Sequence, residues 1–141
     1  MSPSNEYKRL MHGVIPYATV DGVDKAIEFY ARAFGAVPRG QITRSEDGRV
    51  LNVSIEINGG LMMLMDPFPE HGSLPSAGNQ FTLQLVIADG DLWWTRAVEA
   101  GCEVLSPFKL EFWGDRFGRV RDPFGLEWAF NEPAPEKQLS A

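Results

Sequence analysis

Glu56 and Glu127 are the residues of this 141-residue sequence with the strongest prospect of doing chemistry. Two carboxylates brought to one hollow can act as general acid and base, or hold a weakly bound divalent ion. The plainer alternative is a strand face that is simply wet. Arg116 follows Gly114-Asp115, and its planar fork could meet a ligand carboxylate or phosphate with two parallel hydrogen bonds. It could equally form an ion pair with Asp115, Asp122 or another acid. Phe112, Trp113 and Phe117 flank the same turn. As pocket walls they would supply burial energy for a planar or apolar ligand, at ~25 cal/mol per Å² of apolar area. As structural residues they would close a core or a dimer interface. Met62, Met63 and Met65 share one strand and alternate between its faces. They fill the core, or Met62 lines an adaptable apolar pocket.

Other chemistries find little support. His12 precedes the first strand and His71 sits among prolines and glycines, so neither is read as a metal ligand, which needs fixed geometry and supporting contacts. The single cysteine, Cys102, excludes an internal disulfide and a multi-cysteine metal site, and is read as buried and inert. No nucleophile-elbow sequence and no GxGxxG or GxxxxGK run occurs. Thirteen Lys and Arg stand against nineteen Asp and Glu, a net charge of −6. A nucleic-acid partner is not expected, because displacing counterions from phosphates needs a basic face. No apolar run approaches the ~20 residues of a membrane span. The opening MSPSNEYKRLMHG lacks the apolar stretch of a secretory signal. The expectation is a cytoplasmic protein that does not enter membranes.

Two similar halves carry these residues. Val20 and Val86, Gly35 and Gly101, and Gly59 and Gly125 are each 66 positions apart. Each half reads as strand, helix, then three strands. In the first half the strands are Val14–Val20, Val37–Arg44, Val50–Ile57 and Leu61–Asp66, with a helix over Asp24–Phe34. Gly35 suits a left-handed helix cap. In the second half the strands are Phe81–Ile87, Glu103–Leu110, Phe117–Arg121 and Leu126–Asn131, with a helix over Asp91–Ala100. Strict alternation sets Val53, Ile55 and Ile57 against Asn52, Ser54 and Glu56. Asp122-Pro123-Phe124-Gly125 is a tight turn. The expected organisation is a flexible segment over 1–12, a first βαβββ module over 13–66, a connecting loop over 67–79, a second module over 80–132, and a flexible tail over 133–141.

The segment Trp113–Trp128, WGDRFGRVRDPFGLEW, resembles the closing motif of the PhnB-like branch of the vicinal oxygen chelate superfamily. That superfamily includes glyoxalase I, bleomycin-resistance proteins and extradiol dioxygenases. The opening Ile15–Ala36, IPYATVDGVDKAIEFYARAFGA, is similar to the branch's first strand and helix. The resemblance covers roughly residues 14–132. It implies an α+β fold of two βαβββ modules, their eight strands forming a curved sheet around a cavity with helices outside. On that fold Tyr17, Thr19, Asn52, Ser54, Glu56, Leu64, Thr82, Gln84, Glu127, Ala129 and Asn131 face inward, while Leu126, Trp128 and Phe130 meet a helix.

Metal-dependent relatives hold a divalent ion with His, Gln or Glu on strands of both halves. The matching positions here lie near Ile15, Leu64 or Met62, Thr82 or Phe81, and Ala129, none a strong ligand. Asn52 and Ser54 stand where the branch often has His and Glu. The resemblance therefore implies a glyoxalase/bleomycin-resistance-like protein that binds a small amphipathic molecule without a metal or other cofactor. Its ligand contacts would be Tyr17, Asn52, Ser54, Glu56, Leu64, Thr82, Gln84, Trp113, Arg116 and Glu127. An enzyme remains the alternative, either a lyase or dioxygenase with an atypical metal site or an acid/base catalyst using Glu56 and Glu127. A protein-interaction module is a third reading. Family likeness and open sheet edges both point to a homodimer.

Overall fold

The structure, a computed structural model, describes residues 3–75 and 81–135. It divides between Ser76 and Ala77 into two compact units, each a βαβββ module.

The first unit contains α1 (Pro3–Leu10), β1 (Tyr17–Thr19), α2 (Val23–Phe34), β2 (Val37–Arg44), β3 (Val50–Ile57) and β4 (Gly60–Met65). The sheet order is β1-β4-β3-β2, with β1 parallel to β4 and the other pairs antiparallel. Helix α2 buries Val23, Ala26, Phe29, Tyr30, Ala33 and Phe34. Tyr30 stacks on Phe34 at 5.8 Å while Phe29 meets both rings edge-on. Val53, Ile55, Met62 and Leu64 supply the buried side of the sheet beneath this helix.

Gly22 precedes α2 with φ 98° and has no side chain to cap it. Asp66, just beyond β4, does so instead. Its Oδ1 accepts the amides of Gly22 (3.3 Å) and Val23 (2.9 Å), and its Oδ2 accepts that of Val50 (2.7 Å). An anion at this end also meets the positive pole of the helix. Gly35 ends α2 in the left-handed conformation, which costs a residue without Cβ little.

The second unit contains β5 (Leu83–Val86), α3 (Gly90–Ala100), β6 (Glu103–Leu110), β7 (Arg116–Arg121) and β8 (Glu127–Glu132), in sheet order β5-β8-β7-β6. Trp94 of α3 stacks on Phe108 and meets Phe130 edge-on. Gly118 on β7 lets these groups close up: a Cβ there would lie 2.7 Å from Trp94 Cζ3 and from Phe108 Cα. The tight turn is held by Asp122, whose Oδ1 accepts the amides of Phe124 and Leu126 and whose Oδ2 accepts Trp128 Nε1 at 2.8 Å. The amide of Gly90 donates to Glu132 Oε1 at 2.7 Å. Asp66 and Glu132 are 66 positions apart, so the capping acid repeats with the chain.

Several expectations shift. The first twelve residues, expected to be flexible, include α1, with Leu10 buried. The first strand is shorter than Val14–Val20: among the described residues it pairs with β4 alone, and Pro16 has no amide hydrogen to extend the ladder. Likewise β5 is shorter than Phe81–Ile87. The Val20–Val86 match slips by one residue. The Val20 amide bonds to Met65 and the Ile87 amide to Asn131, so Ile87 is the counterpart of Val20, and Val86 is exposed. Residues 69–71 form a single 3-10 turn inside the expected loop. Ala134, placed in the expected tail, is buried, and its amide donates to Asp115 Oδ1 at 3.0 Å. Residues 76–79 of the expected loop, residue 80 of the expected second module and residues 136–141 of the expected tail lie outside the described residues.

Candidate functional site

Side chains directly opposite one another on paired strands share a face. In the first unit, Tyr17, Met63, Ser54 and Arg39 form one row across β1, β4, β3 and β2. Leu61, Glu56 and Val37 form the next. This is the side away from α2. Glu56 accepts a hydrogen bond from Arg39 Nε at 2.8 Å. Tyr17 donates its hydroxyl to the Leu51 carbonyl (2.8 Å) and accepts one from Asn52 Nδ2 (3.0 Å), which also lies 3.5 Å from Met63 Sδ. Ser54 is only 1% exposed. Its hydroxyl is 3.2 Å from that of Tyr7 on α1, whose ring lies against Gly40 on β2. The N-terminal helix thus covers part of the face on which the expected ligand residues stand.

Leu64 is a correction. It pairs with Ala18 and Val53, points to the α2 side and is fully buried, so it is a core residue. Met63 takes the position on the open face that Leu64 was expected to hold. Met62 is likewise in the core.

In the second unit, Gln84, Ala129, Arg119 and Ser106 form one row and Glu127, Arg121 and Glu103 the next. Val86, Asn131, Phe117 and Lys109 form a third. Glu127 is the best-held group. Its Oε2 accepts Thr82 Oγ1 at 2.7 Å and Arg119 Nη1 at 3.1 Å, and its Oε1 lies 3.9 Å from Arg121 Nη2. Its side chain is 10% exposed, against 37% for Arg119 and 42% for Arg121. Arg121 also meets Glu103 at 3.2 Å, and Arg119 Nε reaches Ser106 Oγ at 3.4 Å. Trp113 meets Phe112 edge-on at 5.0 Å and Phe117 at 5.7 Å. Phe117 leads this aromatic trio onto the row of Asn131, whose amide donates to Asp115 Oδ2 at 3.2 Å.

Arg116 is the second correction. It pairs with Glu132 on the opposite side of β7, toward α3. There it bonds Asp91 Oδ1 at 2.7 Å, approaches Glu132 Oε2 at 3.5 Å and lies over the Phe108 ring at 4.4 Å. The hydrogen bond to Asp91 raises the Arg116 pKa and lowers that of Asp91. Arg116 therefore braces the start of α3. The guanidinium groups on the Glu127 face are Arg119 and Arg121, which sequence reasoning passed over. Two-residue alternation from Phe117 is the signal that finds them.

Thr82, Gln84, Glu127 and Trp113 thus lie in the second unit and Tyr17, Asn52, Ser54 and Glu56 in the first, each group on one face of its own sheet. Burial, with a smaller contribution from Asp122, pushes the Cys102 thiol up to about 12, so it is no nucleophile at neutral pH. Among the described residues no group of three or more His, Cys, Asp or Glu side chains could hold a metal ion. No described helix is long and apolar enough to cross a membrane.

Comparison with known proteins agrees with this architecture. A relative from Mycobacterium tuberculosis, the uncharacterized protein Rv0887c, is 35% identical over 130 residues, covering 88% of this chain and 76% of its own. Solved structures share the fold, among them two bacterial proteins. The PhnB protein from Bacillus cereus superposes with a TM-score of 0.69 at 17% identity, over 86% of this chain and 99% of its own. The fosfomycin resistance protein FosX from Listeria monocytogenes gives 0.68 at 15% identity, over 91% and 98%. A sequence model of one family matches residues 10–130, nearly the whole folded region. The chain belongs to the glyoxalase/bleomycin resistance protein/dioxygenase superfamily.

Proposed function

We propose that the protein binds a small amphipathic molecule on the open strand faces of its modules, and does so without a metal ion. The observation that carries this reading is the state of Glu127, which is largely shielded and held by Thr82 and Arg119 with Arg121 close by. Glu56 is held in the same way by Arg39. A divalent ion at either carboxylate would have to displace a guanidinium already in place, or sit beside it against like-charge repulsion. The neighbouring strand positions, Asn52, Ser54, Met63 and Ala129, offer no imidazole or further carboxylate. The residues therefore do not fit the ion that metal-dependent relatives use. What they do fit is a ligand with polar groups matched to Arg119, Arg121, Thr82 and Gln84, and an apolar part for Trp113 and its neighbours.

A native mass spectrum of freshly purified protein tests this. The expected result is a chain mass with no stoichiometric metal, alone or with a co-purified organic molecule. One Zn, Ni, Mn or Fe per chain, lost in Glu56→Ala or Glu127→Ala, would overturn it. The same spectrum reports assembly. We expect a homodimer, because β1 and β2 edge one sheet and β5 and β6 the other, leaving ladder groups for a second copy to pair. A cytoplasmic location accompanies this reading.

A further inference from the structure

We infer that the open face of the second module selects a flat aromatic molecule carrying an anionic group, with its ring at Phe112, Trp113 and Phe117 and its anion at Arg119 and Arg121. This rests on the proposed function and narrows its ligand class. The first observation is the order of residues along β7. Phe117, Arg119 and Arg121 occupy successive rows of one face. At ~3.3 Å per residue, the Cα of Phe117 stands roughly 7 Å from that of Arg119 and roughly 13 Å from that of Arg121.

The second observation is how the charges are layered. The carboxylates near this face are mostly sunk beneath it. Glu127 is held by Thr82 and Arg119, and Asp115 is 7% exposed and bonded by Asn131 and the Ala134 amide. Glu103 lies on the edge strand and meets the Nη1 side of Arg121. The guanidinium groups of Arg119 and Arg121 stand further out than Glu127 and Asp115, and of the acids on this face Glu103 alone is more exposed than they are. Lys109, opposite Phe117, adds a third cation at the aromatic end. A guanidinium can bind a ligand carboxylate or sulfonate while keeping its protein partner, because its five donors exceed what Glu127 uses.

The third observation is the exposure of the rings. Phe112 is 95% exposed and Trp113 41%, and their edge-on pairing leaves ring faces on which a planar group can stack. A neutral ligand would gain the stacking and lose the guanidinium contacts. A cationic one would meet like charges.

Three fluorescent probes of similar size separate these cases on the full-length protein: 8-anilinonaphthalene-1-sulfonate (anionic), N-phenyl-1-naphthylamine (neutral) and proflavine (cationic). The anionic probe is expected to bind one per chain at least tenfold more tightly than the other two. Arg121→Gln and Trp113→Ala should each weaken it about fivefold or more, and Arg119→Gln further. Arg121→Gln is the safer variant, because its contact with Glu127 is the longer one; circular dichroism confirms the fold of each. Arg116→Gln, altered on the opposite face, should leave the affinity unchanged. Equal affinity for the neutral probe, or an anionic-probe affinity indifferent to Arg121→Gln and Arg119→Gln, overturns the inference while leaving the broader binding function standing. No binding of any probe, together with stoichiometric metal, overturns both.

Discussion

Replacing Asp66 by alanine removes the acceptor for three backbone amides at once. Two belong to the start of α2, where Gly22 has no side chain to substitute, and the third is Val50 at the start of β3. Loss of a helix cap costs about 1 kcal/mol, and a hydrogen bond to a charged group contributes roughly 1.5–3 kcal/mol. Water can reach these part-buried amides, so the full sum is not realised, and a loss of about 2–4 kcal/mol is expected. For a chain near this length each kcal/mol moves Tm by about 2–4 °C, giving a drop of roughly 4–16 °C. Urea denaturation followed by circular dichroism, with thermal melts in parallel, measures it. Asp66→Asn keeps one acceptor oxygen and turns the other into a donor, so it should fall between wild type and Asp66→Ala. A loss below about 0.5 kcal/mol for Asp66→Ala would refute the claim that this carboxylate ties helix, strand and turn together, since even a peptide-level cap effect exceeds that.

Gly118→Ala places a methyl group against Phe108 and Trp94 and should destabilise by ~1–3 kcal/mol through overpacking; an unchanged denaturation midpoint would contradict the close approach. Arg49 lowers the Glu70 pKa to about 2 from 4.5, chiefly by direct hydrogen bonding. A depressed carboxylate stabilises the fold above its unfolded pKa, and that contribution fades as pH falls from about 4.5 toward 2. The pH–stability profile of Glu70→Gln should therefore converge on that of wild type at the acid end, and a constant offset down to pH 2 would argue against the pair. Tyr7→Ala should release α1 from the first sheet and speed tryptic cleavage after Lys8 and Arg9 several-fold; an unchanged rate would mean that Tyr7 does not anchor the helix.

The legible parts of the fold are those bounded by turn chemistry. Strands β2, β3 and β6 run as read from the sequence, because Gly35, Glu46-Asp47-Gly48, Asn58-Gly59 and Gly101 mark ends that few other conformations allow. The positive φ of Gly35, Gly48, Asn58, Gly59 and Gly101 is the physical basis of those marks. Strand phase was harder. In β4 the run Leu61-Met62-Met63-Leu64-Met65 is apolar on both faces, so hydrophobic alternation could not assign Leu64 to the core. The repeat could have done so, since the residue 66 positions before Ala129 is Met63. In β7 arginines point to both sides, and Arg116 drew attention through its turn while Arg119 and Arg121 belonged to the open face. Helix α1 was missed because its docking rests on contacts far along the chain, Tyr7 with Ser54 and Gly40, which local pattern cannot reveal.

The acids at the end of the last strand of each module, Asp66 just beyond β4 and Glu132 closing β8, have a consequence for how such a chain can be built from halves. Asp66 closes onto the helix of its own unit, and Glu132 onto the helix of its own. A segment copied in tandem carries its latch with it, so neither copy must borrow a helix cap from the other. The faces left open are then free to diverge, one toward tyrosine, asparagine and serine and the other toward arginine and aromatic rings, without loosening the frame that bears them.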